Sequence, residues 1–182
     1  MPVVVKNGHG TGWVARVDEK GRLYTDAAQR SAVDNQTESY ESVYSFSNVT
    51  YNYTAADTIL LVKNTHPSKE MTIAKIWVSG DTATQVLVHV PVADVTPTGT
   101  AVTGVNLKSP SSKVAVAVAI GDETNNTQGL VLWSQFIPAA EVVEVDCGSG
   151  IKLATNKSIG VDYVTVGAAA LVTIWAYWKD LE

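Results

Sequence analysis

Val and Thr dominate this chain, and their excess constrains the fold more than any other feature. The sequence has 28 Val and 19 Thr against only 10 Leu in 182 residues. β-Branched side chains restrict the χ1 angle, which disfavours helices and suits a pleated sheet. A helical bundle or coiled coil would need Leu, Ala, Glu and Lys in bulk. The chain is therefore predicted to be all-β.

The charge pattern argues against several classes of function. Lys and Arg are scattered singly in a chain of net charge −5, which lacks the basic stripe that binding to nucleic acid requires. Only 17% of the residues are charged, which favours a subunit that buries much of its surface against neighbours. The first residues lack the apolar core of a signal peptide, and no apolar run is long enough to span a membrane. We expect neither export nor a membrane partner.

Strand patterns recur at regular spacing from about residue 41. They are connected by segments too short for crossover helices, which predicts antiparallel pairing. Residues 41–182 are therefore expected to form an antiparallel β-sandwich, jelly-roll-like, of about nine strands. The predicted strands cover residues 43–46, 58–63, 71–78, 85–92, 113–120, 130–137, 141–145, 159–166 and 171–178.

The segment Lys113–Ile120 has the most regular alternation in the chain. Val114, Val116, Val118 and Ile120 fall on one face by the period of two, and alanines fall on the other. Large residues on one side and alanines on the other predict a strand buried on both faces, with a close neighbour on the alanine side.

Residues 1–40 differ from the rest of the chain, because they are polar and show no regular strand pattern. Gly21 supplies the positive φ of a turn, so residues 13–25 are predicted to form a short hairpin. The segment has too few apolar residues to pack alone. We therefore expect an extended N-terminal arm that lies along another surface.

No catalytic or metal-binding pattern is found. The three histidines stand in separate contexts without the spacing of zinc ligands, and His89 is expected to be a half-buried strand residue. Cys147 is the only cysteine, which excludes a disulfide within the chain, and it is interpreted as a buried structural thiol. Asp122–Asn126 carries oxygen ligands but lacks the glycine and the distal glutamate of an EF-hand loop, so it is expected to be a solvated loop tip. The run Gly8–Trp13 fails the tests for a phosphate loop. We expect no cofactor, no metal and no enzymatic activity.

The five tryptophans allow two interpretations. Trp77, Trp133, Trp175 and Trp178 lie in predicted strands, where aromatic side chains act as core or interface anchors, or stack against sugar on an exposed face. The core and interface interpretation is favoured. Trp175 and Trp178 point to opposite faces, so they do not form one stacking surface within their strand.

One motif in the first third of the chain carries a resemblance. Its residues are Gly10-Thr11-Gly12-Trp13-Val14-Ala15-Arg16-Val17-Asp18, then Gly21-Arg22-Leu23 and Ala27. This stretch resembles the Gly-x-Gly-x-x-Ala-x-Val-Asp…Arg-Leu opening that virion proteins of tailed bacteriophages place before an all-β body. The specific resemblance covers about 30 residues, and the remainder is similar only in its pattern of Val- and Thr-rich strands.

The resemblance implies a capsid decoration (head cement) protein. Such a protein is oligomeric, often a homotrimer, is made in the host cytoplasm and is seated on the outside of the capsid, so its partners would be the major capsid protein and itself. On this hypothesis Trp13, Leu23 and Tyr24 anchor the arm on its partner, and Arg16 and Arg22 pair with acidic capsid patches. The alternatives left open are a tail or fibre-attachment virion protein and a carbohydrate-binding β-sandwich module with a host-surface glycan as partner.

Overall fold

The computed structural model describes residues 4–6, 12–14, 42–48, 58–92, 96–108, 111–123, 127–165 and 167–178. The chain divides into two units, Met1–Ser31 and Ala32–Glu182. In the first unit, strands β1 (Val4–Lys6) and β2 (Gly12–Val14) pair antiparallel. The rest of the predicted 13–25 hairpin lies outside the described residues, as does most of the predicted arm.

The second unit is all-β, with twelve strands and no helix in the part of the chain that the structure describes. The strands are β3 (Val43–Ser47), β4 (Thr58–Asn64), β5 (Met71–Gly80), β6 (Thr84–Val90), β7 (Thr100–Val102), β8 (Val105–Asn106), β9 (Ala117–Glu123), β10 (Leu130–Ile137), β11 (Val142–Val145), β12 (Ile151–Leu153), β13 (Ser158–Tyr163) and β14 (Ala170–Trp178). Each of the nine predicted strands corresponds to one of these. The short strands β7, β8 and β12 are additional, because two or three residues are too few to display a period of two.

The twelve strands form two antiparallel sheets. The first sheet has the order β10-β6-β13-β4-β9-β7, and the second has the order β11-β5-β14-β3-β8, with β12 also paired to β5. Most consecutive strands lie in different sheets: β4 belongs to the first, β5 to the second and β6 to the first. The chain therefore crosses between the sheets at most connections instead of forming hairpins, although the pairing is antiparallel as expected.

One hydrophobic core takes side chains from both sheets, which makes the unit sandwich-like. Alternate residues along each strand point into it, as the pleat requires. From the first sheet it includes Leu60, Val62, Val86, Val88, Ile159 and Val161, and from the second Ile73, Ile76, Val78, Val172 and Ile174.

Hydrogen bonds also join the two sheets directly. The Tyr163 hydroxyl of β13 donates to the Ser79 carbonyl of β5 at 2.8 Å. The Trp178 indole N–H of β14 donates to Asn64 Oδ1 at the end of β4 at 3.0 Å. Buried polar groups need such partners, so these bonds fix how the two sheets are placed against each other.

The prediction for residues 113–120 is wrong in two respects. The strand begins at Ala117, and the valines are not buried: Val114 is 79% exposed, and Val116 and Val118 are exposed as well, although Ile120 on the same face is buried. The alanine side faces the core, where Ala119 is buried. The expected close neighbour on that side is present, because a Cβ added at Gly104 would lie 2.9 Å from the Ala115 Cβ. Small residues fit the narrow core side, while the valines face outward.

Candidate functional site

The predicted arm contacts are mostly outside the described residues. Trp13 lies on β2 with its backbone opposite Val5. Arg16, Arg22, Leu23 and Tyr24 lie outside the ranges that the structure describes. Their assignment to an interface therefore stays a prediction.

Strand β10 forms an apolar edge of the first sheet, here called the β10 edge (residues 130–137). It pairs with β6 on one side, and β6 is its single partner among the described strands. Leu130 is 70% exposed and Phe136 is 63% exposed, and Val131 and Leu132 between them are also exposed. Because neighbouring residues on a strand point to opposite faces, Leu130 and Val131 expose apolar side chains on both faces of β10, although Trp133 and Ile137 farther along the strand pack against the core.

The β10 edge also has few of the features that usually protect a sheet edge. Natural edges are shielded by charged residues, Pro or irregular pairing. The chain has no charged residue from Thr124 to Ala140, a stretch that spans β10 completely. A register shift between Val131 and Trp133 is the one protective irregularity of its ladder. The following strand, β11, is the edge of the second sheet and presents Val142, which is also exposed.

A second candidate site lies on the outer face of the second sheet, here called the tryptophan face (Lys75, Trp77, Glu144 and Trp175). Strand pairing places Glu144 opposite Trp77, and Lys75 opposite Trp175, so these four side chains form two adjacent rows across β11, β5 and β14. Directly opposite residues of antiparallel strands point to the same face. The sequence did not predict a contact between Trp77 and Trp175, because that contact depends on the register between two strands far apart in the chain.

The side chains of the tryptophan face contact one another. The Trp77 and Trp175 rings meet edge to face, with centroids 4.8 Å apart and an interplanar angle of 72°. The Trp77 indole N–H donates to Glu144 Oε2 at 3.0 Å, and Lys75 Nζ lies 3.3 Å from Glu144 Oε1. Lys75 Nζ also lies 5.4 Å from the centre of a Trp77 ring. Both tryptophans are half-buried, so the cluster is held in place while part of each ring meets solvent.

A groove of about 270 Å³ adjoins the tryptophan face. Its floor is formed by β5 and β14, and its wall is the turn that follows β11. Gly148 and Gly150 in that turn have φ angles of 57° and 97°, which glycine adopts without strain. The lining residues are Thr72, Ala74, Lys75, Gly148, Ser149, Gly150 and Tyr177.

The other two strand tryptophans serve the core, in keeping with the favoured interpretation. Trp178 belongs to the hydrophobic core, and Trp133 is partly buried and packs against it. Trp175 is outside that core, so Trp175 and Trp178 do lie on opposite faces of β14.

His89 is fully buried, so the expectation of a half-buried residue is wrong. Its Nε2 atom lies 3.0 Å from Asp162 Oδ1, and the Thr58 hydroxyl donates to the same oxygen at 2.7 Å. Gly160 stands opposite His89 on β13, and its missing side chain leaves the space that the imidazole occupies. Since the Thr58 hydroxyl bonds the carboxylate instead of the imidazole, the cluster differs from the hydroxyl–histidine–carboxylate order of a hydrolase triad.

The remaining candidate ligands are accounted for by local structure. His66 Nδ1 accepts hydrogen bonds from the backbone N–H groups of Ser68 and Lys69, at 3.2 and 2.9 Å, and so closes a turn. Glu123 is buried in β9 and accepts from Thr98, which corrects the expectation of a solvated loop tip at that residue. No cluster of three or more His, Cys, Asp or Glu side chains suited to a metal ion occurs within the described ranges.

Cys147 is half-buried instead of fully buried, which corrects the sequence interpretation. Partial burial, together with the negative charges of Asp146 and Glu144, raises the pKa of its thiol to about 11. A thiol with a raised pKa carries little thiolate near neutral pH, which makes it a poor nucleophile.

Comparison with known protein families, with curated protein sequences and with solved structures finds no match for this chain. Among the residues that the structure describes, no helix is long and apolar enough to cross a membrane.

Proposed function

We propose that the chain is a structural, non-enzymatic virion protein that binds the outside of a phage capsid and stabilises the shell through contacts between its own copies. The β10 edge is the observation that carries this proposal. A long, uncharged sheet edge that exposes several apolar side chains is a surface that proteins usually cover with a partner. The resemblance of the N-terminal motif to phage virion proteins is the reason for proposing a phage capsid as the partner.

A second copy of the chain is the partner that suits the β10 edge. The unpaired N–H and C=O groups of an edge strand bond another strand in the manner of an added sheet member, and its apolar side chains bury area at the same time. Each copy carries a net charge of −5. The uncharged stretch from Thr124 to Ala140 lets two copies approach along this edge without close like-charge contacts. A homotrimer is the assembly that the resemblance implies.

The fold supports the proposal in its finer form, a jelly-roll-like sandwich. In a jelly roll the chain passes repeatedly between two sheets, and such sandwiches are common in viral capsid proteins. The crossing of most connections between the two sheets in this chain is consistent with that topology.

The N-terminal arm is proposed to contact the capsid. Trp13, Leu23 and Tyr24 would supply apolar anchors, and Arg16 and Arg22 would pair with acidic groups. The division of the chain at Ser31 supports treating the arm as a separate binding segment. Removal of residues 1–30 is expected to leave a folded β-unit that no longer binds capsids, and full retention of binding by that truncation would refute the role of the arm.

Two measurements test the proposal. Light scattering of the purified protein is expected to give a mass of about three times the 19.4 kDa of one chain. Density-gradient fractionation of lysates from its native source is expected to recover the protein with capsids. A monomer recovered away from all particles would overturn the proposal, and recovery with free tails would replace it with the tail-attachment alternative.

A further inference from the structure

We propose that the tryptophan face and its adjoining groove bind a neutral oligosaccharide. This inference stands on a different surface from the β10 edge and does not depend on the proposed function.

The aromatic part of the site is suited to stacking against sugar. The apolar C–H face of a pyranose ring packs on an indole ring, which offers a large rigid area at low cost in conformational entropy. Lys75 lies over a ring of Trp77, so we assign the stacking role to Trp175. The edge-to-face contact with Trp77 holds the Trp175 ring in one orientation before any ligand arrives. Such preorganisation reduces the entropy lost on binding.

The polar groups of the site are suited to sugar hydroxyls. Lys75 and Glu144 have side chains that are 41% and 49% exposed, so their remaining donor and acceptor capacity faces solvent. The exposed Ser149 supplies a hydroxyl from the groove wall. A small number of oriented polar groups beside an aromatic surface is the usual composition of a small-ligand site.

The charges of the site favour a neutral ligand. Lys75 is paired with Glu144, and Lys152, which lies opposite Thr72 at the edge of the groove, is paired with Glu70 at 3.6 Å. Asp146 adds a further negative charge on the turn beside the groove. An anionic sugar would therefore meet paired lysines and an excess of carboxylates, which disfavours its binding.

Calorimetric titration of the full chain with four soluble probes tests the inference. The probes are cellotetraose, maltotetraose and tetra-N-acetylchitotetraose, which are neutral, and 3′-sialyllactose, which is anionic. At least one neutral tetrasaccharide is expected to bind with a dissociation constant below about 1 mM, and at least tenfold more tightly than 3′-sialyllactose. No measurable binding of any neutral probe would overturn the proposal, and so would preferential binding of 3′-sialyllactose.

Matched variants locate the site. Trp175→Ala is expected to weaken binding of the neutral probe at least tenfold, while Val118→Ala, at an exposed position on the first sheet, is expected to leave the affinity unchanged. Glu144→Gln keeps the shape of the site and is expected to weaken binding several-fold. Circular dichroism is used to verify that each variant is folded. Equal affinities for wild type and for folded Trp175→Ala and Glu144→Gln variants would refute the assignment.

Discussion

Asn64 and Trp178 join the two sheets through a hydrogen bond of 3.0 Å from the indole N–H to the amide oxygen. The amide nitrogen of Asn64 donates in turn to the carbonyls of Lys69 and Leu153, at 2.9 and 3.0 Å. The Asn64 side chain is fully buried, so protein groups supply its hydrogen bonds. One residue therefore fixes the end of β4, the turn that follows it, β12 and β14 relative to one another.

Replacing Asn64 with Ala is expected to lower the free energy of unfolding by about 3 kcal/mol or more, because several buried partners lose their hydrogen bonds at once. Urea denaturation monitored by circular dichroism measures this change. Gln128→Ala, at an exposed position, serves as the control and is expected to stay within about 0.5 kcal/mol of wild type. A loss below about 1 kcal/mol for Asn64→Ala would show that the buried network is less important than its geometry indicates.

Gly160 is expected to tolerate no larger side chain. An added Cβ would lie 2.7 Å from His89 Nε2, and His89 is fully buried with little room to move. Gly160→Ala should therefore destabilise the fold by about 2 kcal/mol or more, through a steric clash that displaces the imidazole from Asp162. Thermal unfolding measures the effect. Gly148→Ala is the control for the steric effect, because an added Cβ there meets no atom within 4 Å. The φ of 57° at Gly148 adds a smaller backbone strain. Equal melting temperatures for wild type and Gly160→Ala would contradict this expectation.

Lysines on the β10 edge are expected to weaken self-association. The double substitution Leu130→Lys and Phe136→Lys places two charges on an edge that is proposed to be buried between copies, and burial of unpaired charge is costly. Sedimentation equilibrium should show an association at least about tenfold weaker than that of wild type. Because both positions are exposed in the single chain, the unfolding free energy of the isolated subunit should change little. Val114→Lys, at another exposed valine, is the control and should leave association unchanged. Unaltered association of the double variant would exclude the β10 edge as the contact.

The thiol of Cys147 is expected to react slowly at mildly alkaline pH. Its pKa is raised to about 11, so the reactive thiolate is scarce at pH 8. Alkylation by iodoacetamide should be roughly ten to a hundred times slower in the folded protein than in the urea-unfolded chain. Asp146→Asn removes one of the negative charges that raise the pKa and should speed the reaction. A folded-state rate equal to that of the unfolded chain would show that the pKa is not raised.

The same shift predicts a component of the pH dependence of stability. The folded protein keeps the thiol proton to about pH 11, whereas the unfolded chain loses it near the ordinary thiol value of 9.0. The folded state is thus favoured below pH 9 by a contribution that is lost as the pH rises toward 11. Urea denaturation of wild type and Cys147→Ala across this range should show a steeper alkaline loss of stability for wild type. Parallel curves would contradict the linkage.

Strand positions followed closely from local patterns in the sequence, whereas the exposure of their faces did not. Val86 and Val88 fall on one face of their strand by the period of two and are buried, as expected for a face that packs on a core. Val114 and Val118 alternate just as regularly, yet they face outward, because burial there depends on whether another part of the protein covers the sheet. Alternation of residue size identifies a strand. Where one face carries small apolar residues and the other carries large ones, however, the pattern does not show which face is buried.

The candidate sites, too, were only partly predictable from the sequence. The uncharged stretch from Thr124 to Ala140 can be seen directly in the sequence, but its meaning depends on β10 being the last strand of its sheet. Strand order arises from long-range pairing, which the local pattern does not encode. The approach of Trp77 and Trp175 likewise depends on the register of β5 against β14.

The sequence by itself determined that the chain is all-β, because β-branched residues in alternating runs suit strands and no segment has a sustained helical face. It also indicated where most of the longer strands lie and that they pair antiparallel, although the described part of the second unit has twelve strands and not about nine. Only the tertiary structure decided which strands are edges, which valines lie outside and which tryptophans meet. These properties depend on contacts between residues far apart in the chain. The free energy of such a contact depends on both residues being packed together, so it cannot be read from the local sequence around either one.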